Sequence, residues 1–229
     1  MSCEIVTFKD IVLYLLGEYI GYKNDLIDKS FEINSIMPEL GKIFNVRIEK
    51  IDAFWVPCRH QSFACPTKNL VFVFGENYPE EDKIDALLNI LSHEISHIFI
   101  HKLAFDGRRI PVWANEGFAQ YYGYKISGYK EPSLEKYGPK IKEQLESQEI
   151  EFFNDDFWSK LIKANKWTEM TVLFIELYEL LIREFGEDKT WEFLRKSIEI
   201  GTQEASQTVL GISLNSLNKL LNEKKLTDG

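Results

Sequence analysis

The chain has 229 residues, of which 45% are hydrophobic, 28% charged and 14% aromatic. This composition excludes an intrinsically disordered chain and supplies enough apolar side chains for a hydrophobic core. The formal net charge of −9 excludes, for the chain as a whole, the basic surface that nucleic acid or anionic lipid would require, so we expect neither as a partner. The three cysteines, Cys3, Cys58 and Cys65, are too few for a disulfide scaffold, and they predict a reducing, cytoplasmic location.

The first third of the chain contains one predicted helix and two predicted strands. The apolar run within residues 8–22 is too short to span a membrane and lacks the features of a signal peptide, so we predict an amphipathic helix there. Residues 46–56 alternate between apolar and polar side chains, which predicts a strand. The short β-branched and aromatic run at 69–74 predicts a buried strand.

The remaining two thirds of the chain are predicted to be helical. A long apolar-periodic helix is expected over 79–102, and a second helix from about Ala114 to Ile126. Residues 127–140 are rich in Gly, Pro and Ser and predict a long loop. Further helical patterns cover about 140–150, 155–164, 169–185, 188–199 and 203–223. This order predicts an α+β protein with an N-terminal α/β lobe, 1–102, and a helical C-terminal lobe, 103–229.

The residues HEISH, at positions 93–97, lie within the predicted helix 79–102. His93 and His97 are one turn apart on one helix face, about 6 Å along the axis, and two imidazoles in that arrangement can converge on one tetrahedral zinc ion. Glu94 is positioned to accept a proton from a water molecule on that ion. The motif therefore predicts a zinc centre with Glu94 as general base.

A third protein ligand is needed, and the sequence offers two candidates. His101 lies about 12 Å along the axis from His93, which is too far for a common ion, so we interpret it as a helix-end cation or a partly buried polar residue. Glu116 follows His97 after eighteen residues, at the start of the next predicted helix. If that helix runs antiparallel to the first, its carboxylate completes a His₂Glu site with a fourth position for water.

The combination of HEISH, an eighteen-residue spacing and Glu116 within WANEGFA resembles the gluzincin metallopeptidases. It is most similar to the branch that contains zinc aminopeptidases and their small single-domain relatives, and the resemblance covers about residues 69–229. It implies a zincin-like two-lobe fold, with an N-terminal mixed sheet plus active-site helix and a helical C-terminal lobe. It also implies one Zn²⁺ held by His93, His97 and Glu116, with Glu94 as general base in the hydrolysis of a peptide or a flexible protein segment. The strand 69–74 would match the sheet edge along which a peptide substrate pairs.

Two departures from the family pattern support an alternative to peptidase activity. The upstream segment by which the aminopeptidases recognise a free amino terminus is absent, so that specificity does not carry over. The family usually has a tyrosine near the start of the long C-terminal-lobe helix, where this chain has residues 167–171, WTEMT. Tyr121, Tyr122, Tyr137 and Tyr178 are other candidates for that role, and the sequence does not choose among them. The alternative function is a catalytically weak or inactive module that binds zinc and a peptide.

Two further patterns have structural explanations that we favour. Cys58, His60 and Cys65 match no standard zinc-ligand spacing, and we interpret their segment as a loop with free thiols. Residues 202–221 resemble a helix-turn-helix, but Lys219 is the only basic residue in that window. Because phosphate binding depends on Lys and Arg, we interpret the segment as part of the helical packing.

Overall fold

The computed structural model describes residues 2–75, 82–104, 109–129, 132–146 and 148–225. It is an α+β protein with a five-stranded mixed sheet, which confirms the predicted fold class. The chain divides into two compact units, the first comprising Met1–Lys102 and Tyr122–Tyr129, the second Leu103–Tyr121 and Lys130–Gly229. The predicted lobes, 1–102 and 103–229, stay a prediction.

The sheet of the first unit has the strand order β1-β2-β3-β5-β4. Strand β2 pairs antiparallel with β1 and parallel with β3, while β5 pairs parallel with β3 and antiparallel with β4. The predicted strand 69–74 is therefore an internal strand, and the expectation that it forms the sheet edge is wrong, because β4 covers it. The strands are β1 (Cys3–Thr7), β2 (Ile11–Leu16), β3 (Ile51–Val56), β4 (Phe63–Cys65) and β5 (Leu70–Phe74).

The predicted helix over residues 8–22 is wrong. Its apolar run forms β2, and the following Gly17–Tyr22 forms a 3₁₀ helix. The six residues of β2 are all apolar or aromatic, so they carry no helical period, and strands on both sides satisfy their backbone hydrogen bonds. The predicted strand 46–56 is shorter than expected, because only Ile51–Val56 pairs in the sheet.

The sheet and the helices of the first unit share one core. Alternate residues of β2, β3 and β5 are completely buried, among them Leu13, Ala53 and Val73. Helix α3 also buries most of its apolar side chains, and its Phe99 stacks against Phe44 of helix α2 with ring centroids 6.2 Å apart. The helices of this unit are α1 (Lys23–Asp28), α2 (Ser30–Phe44) and α3 (Lys83–Leu103). Residues 79–81 of the predicted helix 79–102 lie outside the described residues.

The chain continues after α3 with a helix that links the two units. A π-helical turn, Trp113–Gly117, leads directly into α4 (Phe118–Ser127). This confirms the helix predicted from Ala114 to Ile126. The turn belongs to the second unit, and α4 from Tyr122 onward belongs to the first.

The other helices belong to the second unit, and two predictions there need correction. The predicted loop 127–140 largely forms helix α5, in which Pro132 is the first residue and Gly138 and Pro139 are tolerated inside. The predicted helix 203–223 is interrupted at Gly211, which adopts a left-handed conformation. The helices are α5 (Pro132–Glu146), α6 (Asp155–Lys163), α7 (Trp167–Phe185), α8 (Glu187–Ile200), α9 (Thr202–Ala205), a π-helical turn (Ser206–Leu210) and α10 (Leu214–Lys224).

The segment that resembles a helix-turn-helix contributes to packing. In α10 the Asn222 side chain accepts a hydrogen bond from the Ile150 amide and donates one to the Ile150 carbonyl. Asn218 accepts a hydrogen bond from the Phe152 amide. These two asparagines therefore hold the extended residues before α6 against α10. None of the described helices combines the length and the apolar character needed to cross a membrane.

Replacement of Leu13 by Ala should lower the free energy of unfolding by about 2–5 kcal/mol, because it leaves a cavity under a central strand. Urea denaturation measures this loss. Ile5→Ala on edge strand β1 is the control, since Ile5 is 53% exposed and its truncation should cost less than about 1 kcal/mol. Equal losses in the two variants would contradict the described orientation of the sheet.

Candidate metal centre

The two histidines of the HEISH motif point their ring nitrogens at the same place. The Nε2 atoms of His93 and His97 are 3.1 Å apart, and the two rings meet edge to face with centroids 4.8 Å apart. Apolar neighbours such as Ile95 and Ile98 are completely buried, which fixes the rotation of α3 about its axis. The one-turn spacing therefore produces the convergence predicted from the sequence.

Glu116 lies within the π-helical turn that precedes α4. The turn is held by contacts within the second unit. Trp113 stacks on Phe193 with ring centroids 5.4 Å apart, and its carbonyl oxygen accepts a hydrogen bond of 3.2 Å from the Tyr178 hydroxyl. Gly117 lies so close to Phe174 that an added Cβ would be 2.7 Å from the ring. A turn of this type is rare, costs stability and occurs frequently at functional sites.

Within the first unit, α4 packs closely against α3. Asn89 of α3 donates a hydrogen bond of 3.3 Å to the Ser127 hydroxyl of α4. Gly123, one turn earlier in α4, lies against the Asn89 carbonyl oxygen and the Cβ atom of His93. Because Ser127 meets Asn89 while Gly123 also reaches His93, the two helices run antiparallel, as predicted.

The structure brings the three predicted metal ligands together. One donor atom each from His93, His97 and Glu116 lies within 4.8 Å of the others. Ligand atoms about 2 Å from a tetrahedral zinc ion are separated by roughly 3.3 Å, so the two imidazole nitrogens are already at a suitable distance. Two imidazoles and a carboxylate also match the donor set that catalytic zinc takes. The residues present therefore fit a zinc ion.

Two carboxylates differ in their surroundings at this site. Glu94 is only 7% exposed, which is unusual for a charged side chain and indicates that the fold gives it a specific environment. Glu116 is partly buried, and its Oε1 atom accepts a hydrogen bond of 3.0 Å from the Asn115 side chain. This hydrogen bond orients the Glu116 carboxylate.

Burial makes the neutral form of His93 the preferred one. Its ring retains some solvent contact but is densely surrounded by protein atoms, and this loss of hydration lowers its pKa well below 6.5. A smaller contribution comes from the nearby His97. A neutral imidazole is the form that binds a metal ion.

The other candidate residues are not part of this group. His101 is exposed in the last turn of α3, as its interpretation as a helix-end cation requires. His60 contacts the Gln61 carbonyl oxygen at 3.0 Å, and Cys65 lies 3.7 Å from the Thr67 hydroxyl. Among the residues that the structure describes, His93, His97 and Glu116 form the one cluster of three potential metal ligands.

The tyrosines considered for oxyanion stabilisation are mostly engaged elsewhere. The Tyr178 hydroxyl donates to the Trp113 carbonyl oxygen, and the Tyr122 hydroxyl donates to the Ile36 carbonyl oxygen. Burial raises the pKa of both hydroxyls, and it raises the pKa of Tyr121 to about 12 together with the charges of Glu179 and Glu187. Tyr137 is 48% exposed on α5. Position 171, in the first turns of α7, carries a buried threonine.

The residues that join α3 to α4 were not among the predicted site residues. They are Asn89, Gly123 and Ser127, and they belong to no catalytic motif. A helical-wheel comparison could have found them, because Glu116, Gly123 and Ser127 recur at the spacing of one helix face. The structure therefore shows, beside the predicted ligands, a contact between α3 and α4 that the sequence did not predict.

No family model and no curated protein matches the chain. Among solved structures, it is similar to an aminopeptidase N family protein from Idiomarina loihiensis, with a TM-score of 0.54 and 14% sequence identity. The similarity covers 95% of this chain and 46% of the other, so the chain spans about half the length of that protein. At this identity the likeness shows the fold alone, a mixed α+β fold.

We predict that the purified chain binds one zinc ion and that His93→Ala, His97→Ala and Glu116→Ala each weaken binding by more than about 100-fold, because each removes a ligand. Elemental analysis and competition with a chromophoric chelator measure stoichiometry and affinity. His101→Ala is the matched control on the same helix and should bind zinc normally. Unchanged affinity in Glu116→Ala would contradict the three-residue site.

The stability of the metal-free protein should fall as the pH is lowered from 7.5 to 5.5. The folded-state pKa of His93 is below its unfolded value, so the unfolded chain binds more protons as the pH drops through 6.5, and unfolding becomes more favourable. The slope from one such group is at most about 1.4 kcal/mol per pH unit. Urea denaturation at each pH should show a flatter profile for His93→Gln and the native profile for His60→Gln. A native profile in His93→Gln would contradict this assignment.

Proposed function

We propose that this chain is a zinc-dependent peptidase of the gluzincin type. The observation that carries the proposal is the convergence of two imidazole nitrogens and one carboxylate from the HEISH and WANEGFA segments. The likeness in fold to an aminopeptidase N family protein is a second, independent support. We propose His93, His97 and Glu116 as the zinc ligands.

A zinc ion bound there would polarise a substrate carbonyl and lower the pKa of a coordinated water molecule towards 7. Glu94 then acts as the general base. It is adjacent in sequence to His93 and is almost completely buried. The surrounding protein atoms therefore restrict the position of its carboxylate. Asn115 keeps the Glu116 carboxylate oriented through its 3.0 Å hydrogen bond.

The proposed substrate is a peptide or a flexible protein segment. An extended chain can pair with the exposed edge of a sheet by main-chain hydrogen bonds. In the first unit, β4 is the edge strand on the side of β5. The three cysteines are free thiols, which fits a reducing compartment, and we propose a cytoplasmic location.

A zinc- and peptide-binding module without turnover is the second candidate function. The observation that favours it is that no tyrosine hydroxyl is assigned to stabilise the oxyanion. Residues 167–171, where the resemblance calls for a tyrosine, contain none, and the Tyr122 and Tyr178 hydroxyls donate to main-chain carbonyl oxygens. Loss of one oxyanion donor costs about 10²–10³ in turnover, so this candidate predicts zinc binding with little or no cleavage.

Cleavage of a mixed peptide library distinguishes the two functions. The native chain loaded with zinc should cleave, and Glu94→Gln should lower the rate by about 10²–10⁴-fold while zinc stoichiometry stays at one, because only the general base is removed. Mass spectrometry of the products measures the rate. Glu204→Gln, an exposed carboxylate on α9, is the control and should cleave normally.

Two results would overturn the peptidase proposal. Equal cleavage by native chain and Glu94→Gln would mean that another group or another protein is responsible. Stoichiometric zinc without cleavage of any peptide in the library would favour the binding module.

A further inference from the structure

Helices α3 and α4 approach each other closely at Gly123. A Cβ atom at this position would lie 2.7 Å from the Asn89 carbonyl oxygen and 3.4 Å from the His93 Cβ atom. The distance of 2.7 Å to the Asn89 oxygen is shorter than a van der Waals contact. The obstacle is a main-chain atom of α3, so no side-chain rotation can relieve it.

This point of close approach is directly beside a predicted metal ligand. His93 is the α3 residue whose Cβ atom faces Gly123, and the next hydrogen bond along the contact joins Asn89 to Ser127. The Ser127 hydroxyl in turn donates a bond of 2.9 Å to the Gly123 carbonyl oxygen. Gly123 and Ser127 therefore determine together how closely α4 approaches the helix that carries both imidazoles.

The same continuous helix carries Glu116 seven residues before Gly123, two turns or about 10.5 Å along the axis. A Glu116 donor atom lies within 4.8 Å of those of His93 and His97, and Gly123 lies against the His93 Cβ atom, so both residues face α3. A shift of α4 away from α3 therefore moves the Glu116 carboxylate away from His93 and His97.

We propose that Gly123 is a positioning residue for the zinc ligands, and that its missing side chain sets the distance between Glu116 and the two imidazoles. This inference rests on the proposed function for its zinc ion. Accommodation of a Cβ atom against a backbone oxygen requires a displacement on the order of 0.7 Å, whereas metal–ligand distances tolerate about 0.2 Å. The carboxylate then no longer meets the ion at its normal distance.

The test uses the full chain and the variant Gly123→Ala, with zinc affinity and the visible spectrum of the cobalt(II)-loaded protein as readouts. The spectrum reports coordination number and geometry, which a merely structural role would not change. Gly123→Ala should bind zinc about 10–100-fold more weakly, the range found when groups that orient metal ligands are removed. Its cobalt spectrum should resemble that of Glu116→Gln rather than that of the native chain.

Gly21→Ala is the matched control in the same unit, because a Cβ atom there meets nothing within 4 Å. It should retain native affinity and spectrum. Ser127→Ala is the second variant, which deletes the hydrogen bond to Asn89 without adding an atom, and it decides the question if Gly123→Ala does not fold. It should shift affinity and spectrum in the same direction by a smaller amount.

The outcomes separate this inference from the proposed function. A native chain that takes up no zinc overturns the proposed function itself. A native chain that binds zinc, together with a folded Gly123→Ala of native affinity and native cobalt spectrum, overturns the positioning role and leaves the zinc site intact. If Gly123→Ala is unfolded, native zinc affinity and a native cobalt spectrum in Ser127→Ala overturn the positioning role as well.

Discussion

The contact on which the candidate metal site depends joins the Nε2 atoms of His93 and His97, which are 3.1 Å apart. One turn of a buried helix produces their spacing, and burial lowers the pKa of His93 and keeps its ring neutral. Two imidazoles and a carboxylate whose donor atoms lie within 4.8 Å of one another in a partly buried place are a group that could hold a metal ion.

The position of Glu116, the third residue of the group, depends on tertiary packing rather than on helical spacing. Glu116 lies in a π-helical turn whose hydrogen bonding and ring contacts come from α7 and α8, while the same helix further on packs against α3. If Gly123 positions Glu116 as proposed, this carboxylate is sensitive to small displacements at a residue that does not contact the ion.

The ligands were predictable from the sequence because their signal is local. His93 and His97 need only helical periodicity, and Glu116 needs only a second helix that returns antiparallel. The strand Ile11–Leu16 was not predictable in the same way, since an unbroken apolar run has no period and one of its two pairing partners, Ile51–Val56, is forty residues away. Helix α5 was missed because Gly138 and Pro139 disfavour helices in general, although tertiary packing overrides that preference here. The π-helical turn at Trp113 has no recognised sequence signal.

The tyrosines explain why zinc binding and peptide hydrolysis are separate questions for this chain. Tyr178 and Tyr122 are completely buried, and each donates its hydroxyl proton to a main-chain carbonyl oxygen. A donor used in this way would leave a buried carbonyl unsatisfied if it turned to a substrate, which costs about 1–3 kcal/mol. For Tyr178 that carbonyl belongs to Trp113, in the turn that carries Glu116, so the hydroxyl helps to hold this turn. If the proposed peptidase activity holds, its oxyanion donor must therefore come from a group other than these two hydroxyls.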